Sequence, residues 1–172
     1  MKNSITPPMN LDCLRHIDEQ RFDIRIAADG RWFHEGNEIR RIEIVKLFAS
    51  VLQQDETGDY WLATPIEKGR ITVDEAPFII CEMFLLPGTD LRSHKIHFRT
   101  NLDETIALDA AHPLLMRPAG EMRDLRPYVE VRNGLLAKLT RPVYYQLADC
   151  AEKGPGGQIG VWSHKHFFSL EL

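Results

Sequence analysis

Short stretches in which apolar and polar residues alternate, each closed by a turn former, are what most constrain this chain. Phe22, Ile24 and Ile26 alternate with Asp23 and Arg25, as a half-buried strand requires. Ala28-Asp29-Gly30 then turns the chain, because Asp-Gly readily takes the positive φ of a tight hairpin. Residues 31–34 read as the return strand, ended by Gly36. Further strands are expected over 60–64, 70–74, 78–86, 93–102, 105–109 and 114–117, with Pro87-Gly88, Asn101 with Asp103, and His112-Pro113 between the later ones. The clearest hairpin runs over 128–139 around Asn133-Gly134, the preferred two-residue turn. The polar stretch 118–127 reads as a connector, and 159–162 with 166–170 as a closing strand pair. Strands this short and closely spaced predict an antiparallel meander or curved sheet.

The hydrophobic period changes at two places. Ile39, Ile42, Val45, Phe48, Ala49 and Leu52 fall at three- and four-residue spacing with Arg40, Glu43 and Lys46 between them, which predicts an amphipathic helix of about four turns. Pro142 suits a first helical position, and Val143, Leu147 and Cys150 line one face of a second helix ending near Gly154. A short helix is also expected around Leu11, Leu14, Ile17 and Phe22, behind an arm of residues 1–10. The first and last thirds echo one another: hairpin, basic residue, helix, Gly-containing turn, Trp-bearing strand. Arg41 matches Arg141, Leu47 matches Leu147, and Trp61 lies near Trp162. The fold class is therefore α+β, with two related, mostly antiparallel, strand-rich subdomains. Its divisions are an arm and helix over 1–20, an N-terminal subdomain over 21–76 and a C-terminal one over 77–172.

Composition narrows the function classes. A chain of 172 residues, 44% hydrophobic and 27% charged, is globular and long enough to fold without a disulfide or metal staple. A net charge of −4 and a pI near 6.0 disfavour duplex nucleic acid as a partner. Cys13, Cys81 and Cys150 form no CxxC pair and are expected to be reduced, buried, small hydrophobes. Residues 1–10 lack the apolar core of a signal peptide, and residues 76–86 are too few to span a bilayer. No membrane role, no cofactor and a cytoplasmic location are expected.

No motif of catalysis emerges. His164 and His166, two apart in an expected strand, would share a face, yet no third metal ligand stands near them in sequence; His94 and His97, three apart, would face oppositely. The segment KGPGGQIG (153–160) lacks the spacing of a phosphate loop and follows a helix instead of opening one. There is neither a GxSxG elbow nor an HExxH helix. Asp55, Glu56, Asp59, Glu67, Asp74 and Glu75 outweigh Lys68 and Arg70 and read as a solvated acidic face; hydrolysis by Glu67 and Asp74 would need a shared pocket that sequence does not supply. Arginines beside aromatics are the more telling pattern: Arg31 with Trp32 and Phe33, the pair Arg40 and Arg41, Arg132 at its turn, and Arg141 ahead of Tyr144 and Tyr145. Guanidinium groups take phosphate or carboxylate in a fork, and aromatic rings stack on bases. The structural alternative is that these arginines pair with the acidic segment.

Residues 64–78 (TPIEKGRITVDEAPF), 97–114 (HFRTNLDETIALDAAHPL), 126–149 (RPYVEVRNGLLAKLTRPVYYQLAD) and 23–52 resemble the bacterial domain-of-unknown-function family numbered 1285. That resemblance implies a duplicated α+β core whose C-terminal part is similar to a pleckstrin-homology-like barrel. It further implies a groove between the two parts as a site for a nucleotide- or nucleic-acid-like anion, with a signalling role. The residues it implies for such a site are Trp32, Phe33, Arg40, Arg41, Lys68, Arg70, Arg132, Asn133 and Arg141. The expected function is that of a non-enzymatic ligand-binding or regulatory protein. The alternative is a protein-interaction scaffold with no small-molecule ligand.

Overall fold

The computed structural model describes residues 18–90, 92–119 and 124–171. They form two compact units that divide between Glu75 and Ala76. The N-terminal unit contains β1 (Glu19–Ile26), β2 (Trp32–His34), β3 (Asn37–Glu38), α1 (Ile42–Ser50), β4 (Leu52–Gln54), β5 (Tyr60–Ala63) and β6 (Lys68–Val73). Its sheet has the order β3-β2-β1-β6-β5-β4. A hairpin leads out, α1 crosses over, and a three-stranded meander returns so that β6 lies parallel to β1. Ile24, Ile26, Trp32, Val45, Ala49, Leu62 and Ile71 form its core. Each such aliphatic side chain, fully withdrawn from water, is worth about 1.5–3 kcal/mol.

The C-terminal unit contains β7 (Phe78–Leu86), β8 (Lys95–Thr100), β9 (Thr105–Ala107), β10 (Leu114–Ala119), β11 (Asp124–Arg132), β12 (Leu135–Leu139), α2 (Arg141–Asp149), β13 (Glu152–Lys153), β14 (Ile159–Ser163) and β15 (His166–Ser169). Six strands run in the order β10-β11-β12-β7-β8-β9, and β13-β14-β15 make a small separate sheet. Again one pair is parallel, β12 with β7, amid antiparallel neighbours. Phe78, Ile80, Ile96, Phe98, Leu108, Val129, Leu135, Leu147 and Val161 are fully buried.

The two units are related, and the relation can be read in hydrogen bonds. Hairpin, nine-residue helix and three-stranded meander recur in both. The helix-capping N–H of Val51 bonds Phe48 O, as that of Cys150 bonds Leu147 O. In the next turn Asp55 N–H bonds Asp59 O and Gly58 N–H bonds Asp55 O; Gly154 with Gln158 and Gly157 with Gly154 repeat both bonds. Gly58 and Gly157 take φ of 89° and 84°, a conformation glycine adopts without strain. This register pairs Arg41 with Thr140, the two N-caps, and not with Arg141. Leu47 and Leu147 are no match either, since Leu47 is 63% exposed and Leu147 is buried.

Other expectations are corrected. Phe22 lies in β1, not in a helix, while the rest of that expected helix and the arm 1–10 fall outside the described residues. The connector expected over 118–127 is largely strand: β10 runs to Ala119 and β11 begins at Asp124. α1 starts at Ile42 and ends at Ser50, and Leu52 has already passed into β4. Of Asp29-Gly30 only the glycine takes positive φ, 82°. Cys81 is exposed, contrary to the buried reading, and Cys150 is half-buried. Among the described residues no helix is long and apolar enough to cross a membrane.

Candidate functional site

Inside the N-terminal unit a cavity of about 480 Å³ opens between the end of α1 and the sheet. Three local features create it. Between Arg21 and Arg25 the ladder shifts, four steps of β1 answering two of β6, so Phe22, Asp23 and Ile24 bow out of register. Gly69, on β6 beside them, leaves the space that the Phe22 ring fills; a Cβ there would collide with the ring. The helix brings up Phe48, which stacks on Trp32 at 6.3 Å, and is capped by Val51.

Phe22, Ile24, Phe48, Val51 and Leu62 give the cavity apolar walls. Its polar lining comes from Arg21, Asp23, His34, Glu35, Thr64 and Glu67. Two turns hold part of that lining. Glu35 (φ 49°) and Gly36 (φ 76°) make the β2–β3 turn, with Glu35 N–H donating to Asp23 O at 3.0 Å. Glu67 N–H donates to Thr64 Oγ1 at 3.1 Å while Thr64 N–H donates to Glu67 O at 2.8 Å. The three carboxylates against one guanidinium favour a ligand with a cationic or hydrogen-bond-donating group on an apolar body. Sequence alone did not single out this constellation. Phe22, Ile24 and Ile26 alternate without interruption, so the register shift at this point leaves no mark in the pattern.

None of the nine site residues expected from sequence lines this cavity. Trp32 is a core residue, 1% exposed, its indole N–H without a partner among the described residues. Phe33 is half-buried beneath the Arg31 guanidinium, 5.5 Å from its ring centre. Lys68 and Arg70 are brought together on Trp61, at 5.7 and 4.9 Å from the ring. Both are also paired, Lys68 with Glu19 at 3.3 Å and Arg70 with Asp59 at 2.9 Å. Asp55 anchors this corner. Burial works to raise its pKa, but hydrogen bonds from Thr57, Trp61 and two backbone amides outweigh that and hold it below the usual carboxylate range. Arg40 and Arg41 are exposed ahead of α1, with no side-chain partner among the described residues.

In the C-terminal unit Arg132 grips both oxygens of Glu104, at 3.0 and 2.9 Å, and lies over Phe78. Asn133 and Gly134, with φ of 46° and 79°, form the expected two-residue turn, capped by Gly134 N–H donating to Glu130 Oε1. Arg141 is the exposed first residue of α2. His164 is not in a strand beside His166 but in the β14–β15 turn, and its ring lies 5.6 Å from that of His97. Among the described residues no three His, Cys, Asp or Glu groups stand where they could hold one metal ion.

Residues 16–76 match the family model described as Domain of unknown function (DUF1285), N-terminal domain, and residues 77–170 match Protein of unknown function (DUF1285), C-terminal domain. No curated protein matches the chain. A crystal structure of a DUF1285 family protein from Silicibacter pomeroyi DSS-3 is similar at 33% identity, covering 99% of this chain and 89% of that one with a TM-score of 0.84. Another, from Shewanella baltica OS155, is similar at 25% identity over 74% of this chain and 91% of that one, with a TM-score of 0.57.

Proposed function

We propose that this chain, which belongs to the DUF1285 family, is a non-catalytic module that binds a small molecule in the cavity of its N-terminal unit. The observation that carries this reading is that cavity of about 480 Å³, within the size range of small-molecule sites and walled by apolar side chains beneath a few polar groups. Its carboxylates, Asp23, Glu35 and Glu67, select a ligand that brings an amine or several donors. The occupant acts as a signal, and a pleckstrin-homology-like shape for the C-terminal unit fits a regulatory role. The free thiols of Cys81 and Cys150 fit a reducing, cytoplasmic compartment.

A thermal-shift screen of amine-bearing and nucleotide metabolites tests the reading. A ligand at 100 times its Kd adds about 2.7 kcal/mol to the stability of the unit that holds it. The expected hit is an amine whose shift disappears in Val51→Phe, which fills the cavity. A second reading, an anionic nucleotide-like ligand, is favoured by Arg40 and Arg41, exposed and without a side-chain partner among the described residues. A nucleotide hit that survives Val51→Phe and is lost in Arg40→Ala/Arg41→Ala selects it. Silence from every compound, with a single protein recovered in stoichiometric amount, selects the scaffold alternative.

A further inference from the structure

Three histidines of the C-terminal unit, His94, His97 and His164, each bury an Nε2 atom that has no hydrogen-bond partner among the described residues. Buried polar atoms without partners are rare in native proteins and call for an explanation. A metal does not supply it, since no three ligating groups converge among the described residues. The explanation lies in what these rings sit between. The β14–β15 turn, His164-Lys165, has φ of 49° and 66° and is clamped onto the segment leading into β8 by backbone bonds. His164 N–H donates to His94 O and Lys165 N–H to Arg92 O, each at 3.1 Å. Beside them Ile96 N–H donates to the fully buried Ser163 Oγ at 3.0 Å. Arg92 also lies over Trp162, 5.0 Å from its ring centre. The His97 and His164 rings, 5.6 Å apart, stand at this junction.

We propose that His164, its ring 5.6 Å from that of His97, is a proton-operated latch: neutral, it lets the β14–β15 turn sit on the strand entering β8, and protonated, it releases it. An imidazolium at His164, its Nε2 buried with no acceptor among the described residues, loses both hydration and pairing. The surrounding charges do not offset this. Burial, then His97, Lys95 and His166, all lower the pKa of His164 below 6.5, and only Asp109 acts to raise it. Asp109 is itself engaged by His112 at 3.0 Å. Because the folded pKa is lowered, the unfolded or released turn binds protons first, so the latch is closed above the unperturbed value and opens as the pH falls beneath it.

Amide hydrogen exchange on the full chain, corrected for intrinsic rates, tests the latch at about pH 7.5 and about pH 5.5. Protection at Ile96, His164 and Lys165 is expected to fall at least about tenfold between the two, and less than about twofold in His164→Asn. Asparagine tolerates the left-handed backbone of that turn, so the substitution leaves the fold intact. Unchanged protection in the wild type, or an equal fall in the variant, overturns the proposal. Should His164→Asn fail to fold, His164→Gly, which takes the left-handed backbone of that turn without strain, is read by the same criterion, and its outcome decides.

Discussion

Gly69 sits where the backbone of β6 passes under the Phe22 ring, and the space it leaves seats that ring as a wall of the cavity in the N-terminal unit. Gly69→Ala forces the ring to move, and overpacking of this kind costs about 1–3 kcal/mol. A lowered urea midpoint, restored by pairing Gly69→Ala with Phe22→Leu, is the expected outcome. If Gly69→Ala alone leaves the midpoint unmoved, Phe22 has slack to yield and the account of the cavity fails. Asp55 is the second decisive residue. It accepts bonds from Thr57 N–H and Oγ1–H, Asp59 N–H and Trp61 Nε1–H, the last at 2.8 Å. Asp55→Ala strands the indole N–H of a residue only 5% exposed, a loss of about 1–3 kcal/mol by denaturant titration. Asp55→Asn is expected to lose less, because its amide oxygen still accepts from the indole.

At the scale of elements, the outer half of β7 stands out. β12 pairs with it only as far as Leu139 opposite Ile80, and beyond that Phe84, Leu85 and Leu86 are 42%, 48% and 46% exposed. A bare apolar strand edge is a template for unwanted pairing. Leu85→Lys is therefore expected to suppress aggregation on warming, measured by light scattering, with the melting temperature almost unchanged. A large fall in melting temperature would mean that this strand is packed in a way its exposure denies. The elements themselves were largely legible, because alternation at Phe22 to Ile26 and the Asn133-Gly134 turn report local backbone preference. The two parallel pairings, β1 with β6 and β12 with β7, were not, since they join strands far apart in the chain and leave no local mark. Trp32 illustrates the limit for sites: an aromatic beside an arginine reads as a ligand platform, but which face of β2 meets α1 is set only by tertiary packing. His97 and His164 lie 5.6 Å apart in space yet belonged to different histidine pairs in sequence.

For the whole molecule these local charges predict how stability depends on pH, in two separate steps. In the N-terminal unit the Arg25 side chain bonds Asp74 and holds its carboxyl low, and the Arg31 backbone and side chain do the same for Asp29. Asp90, bonded by Ser93, is likewise lowered in the C-terminal unit; in Asp109 the bonds from His112 prevail over burial. A carboxylate whose folded pKa lies below 3.8 stabilises the fold above that value, and the gain is lost as the pH falls through the folded value. Asp29 and Asp90 are exposed and Asp74 and Asp109 partly so, so salt screens them and the acid limb should soften at high ionic strength. His164 has the same sign in a higher window, its stabilisation complete above 6.5 and declining beneath it. A urea midpoint followed across pH is thus expected to show a shallow decline below 6.5, then a plateau, then a steep fall below 3.8. His164→Asn should erase the first decline and leave the second. The first belongs to the half-buried His164, its Nε2 enclosed within one unit, and the second to carboxylates spread over both, so added salt should shift mainly the second. A single salt-sensitive transition would mean that His164 exchanges protons as freely folded as unfolded, and the stability argument for the latch would fall with it.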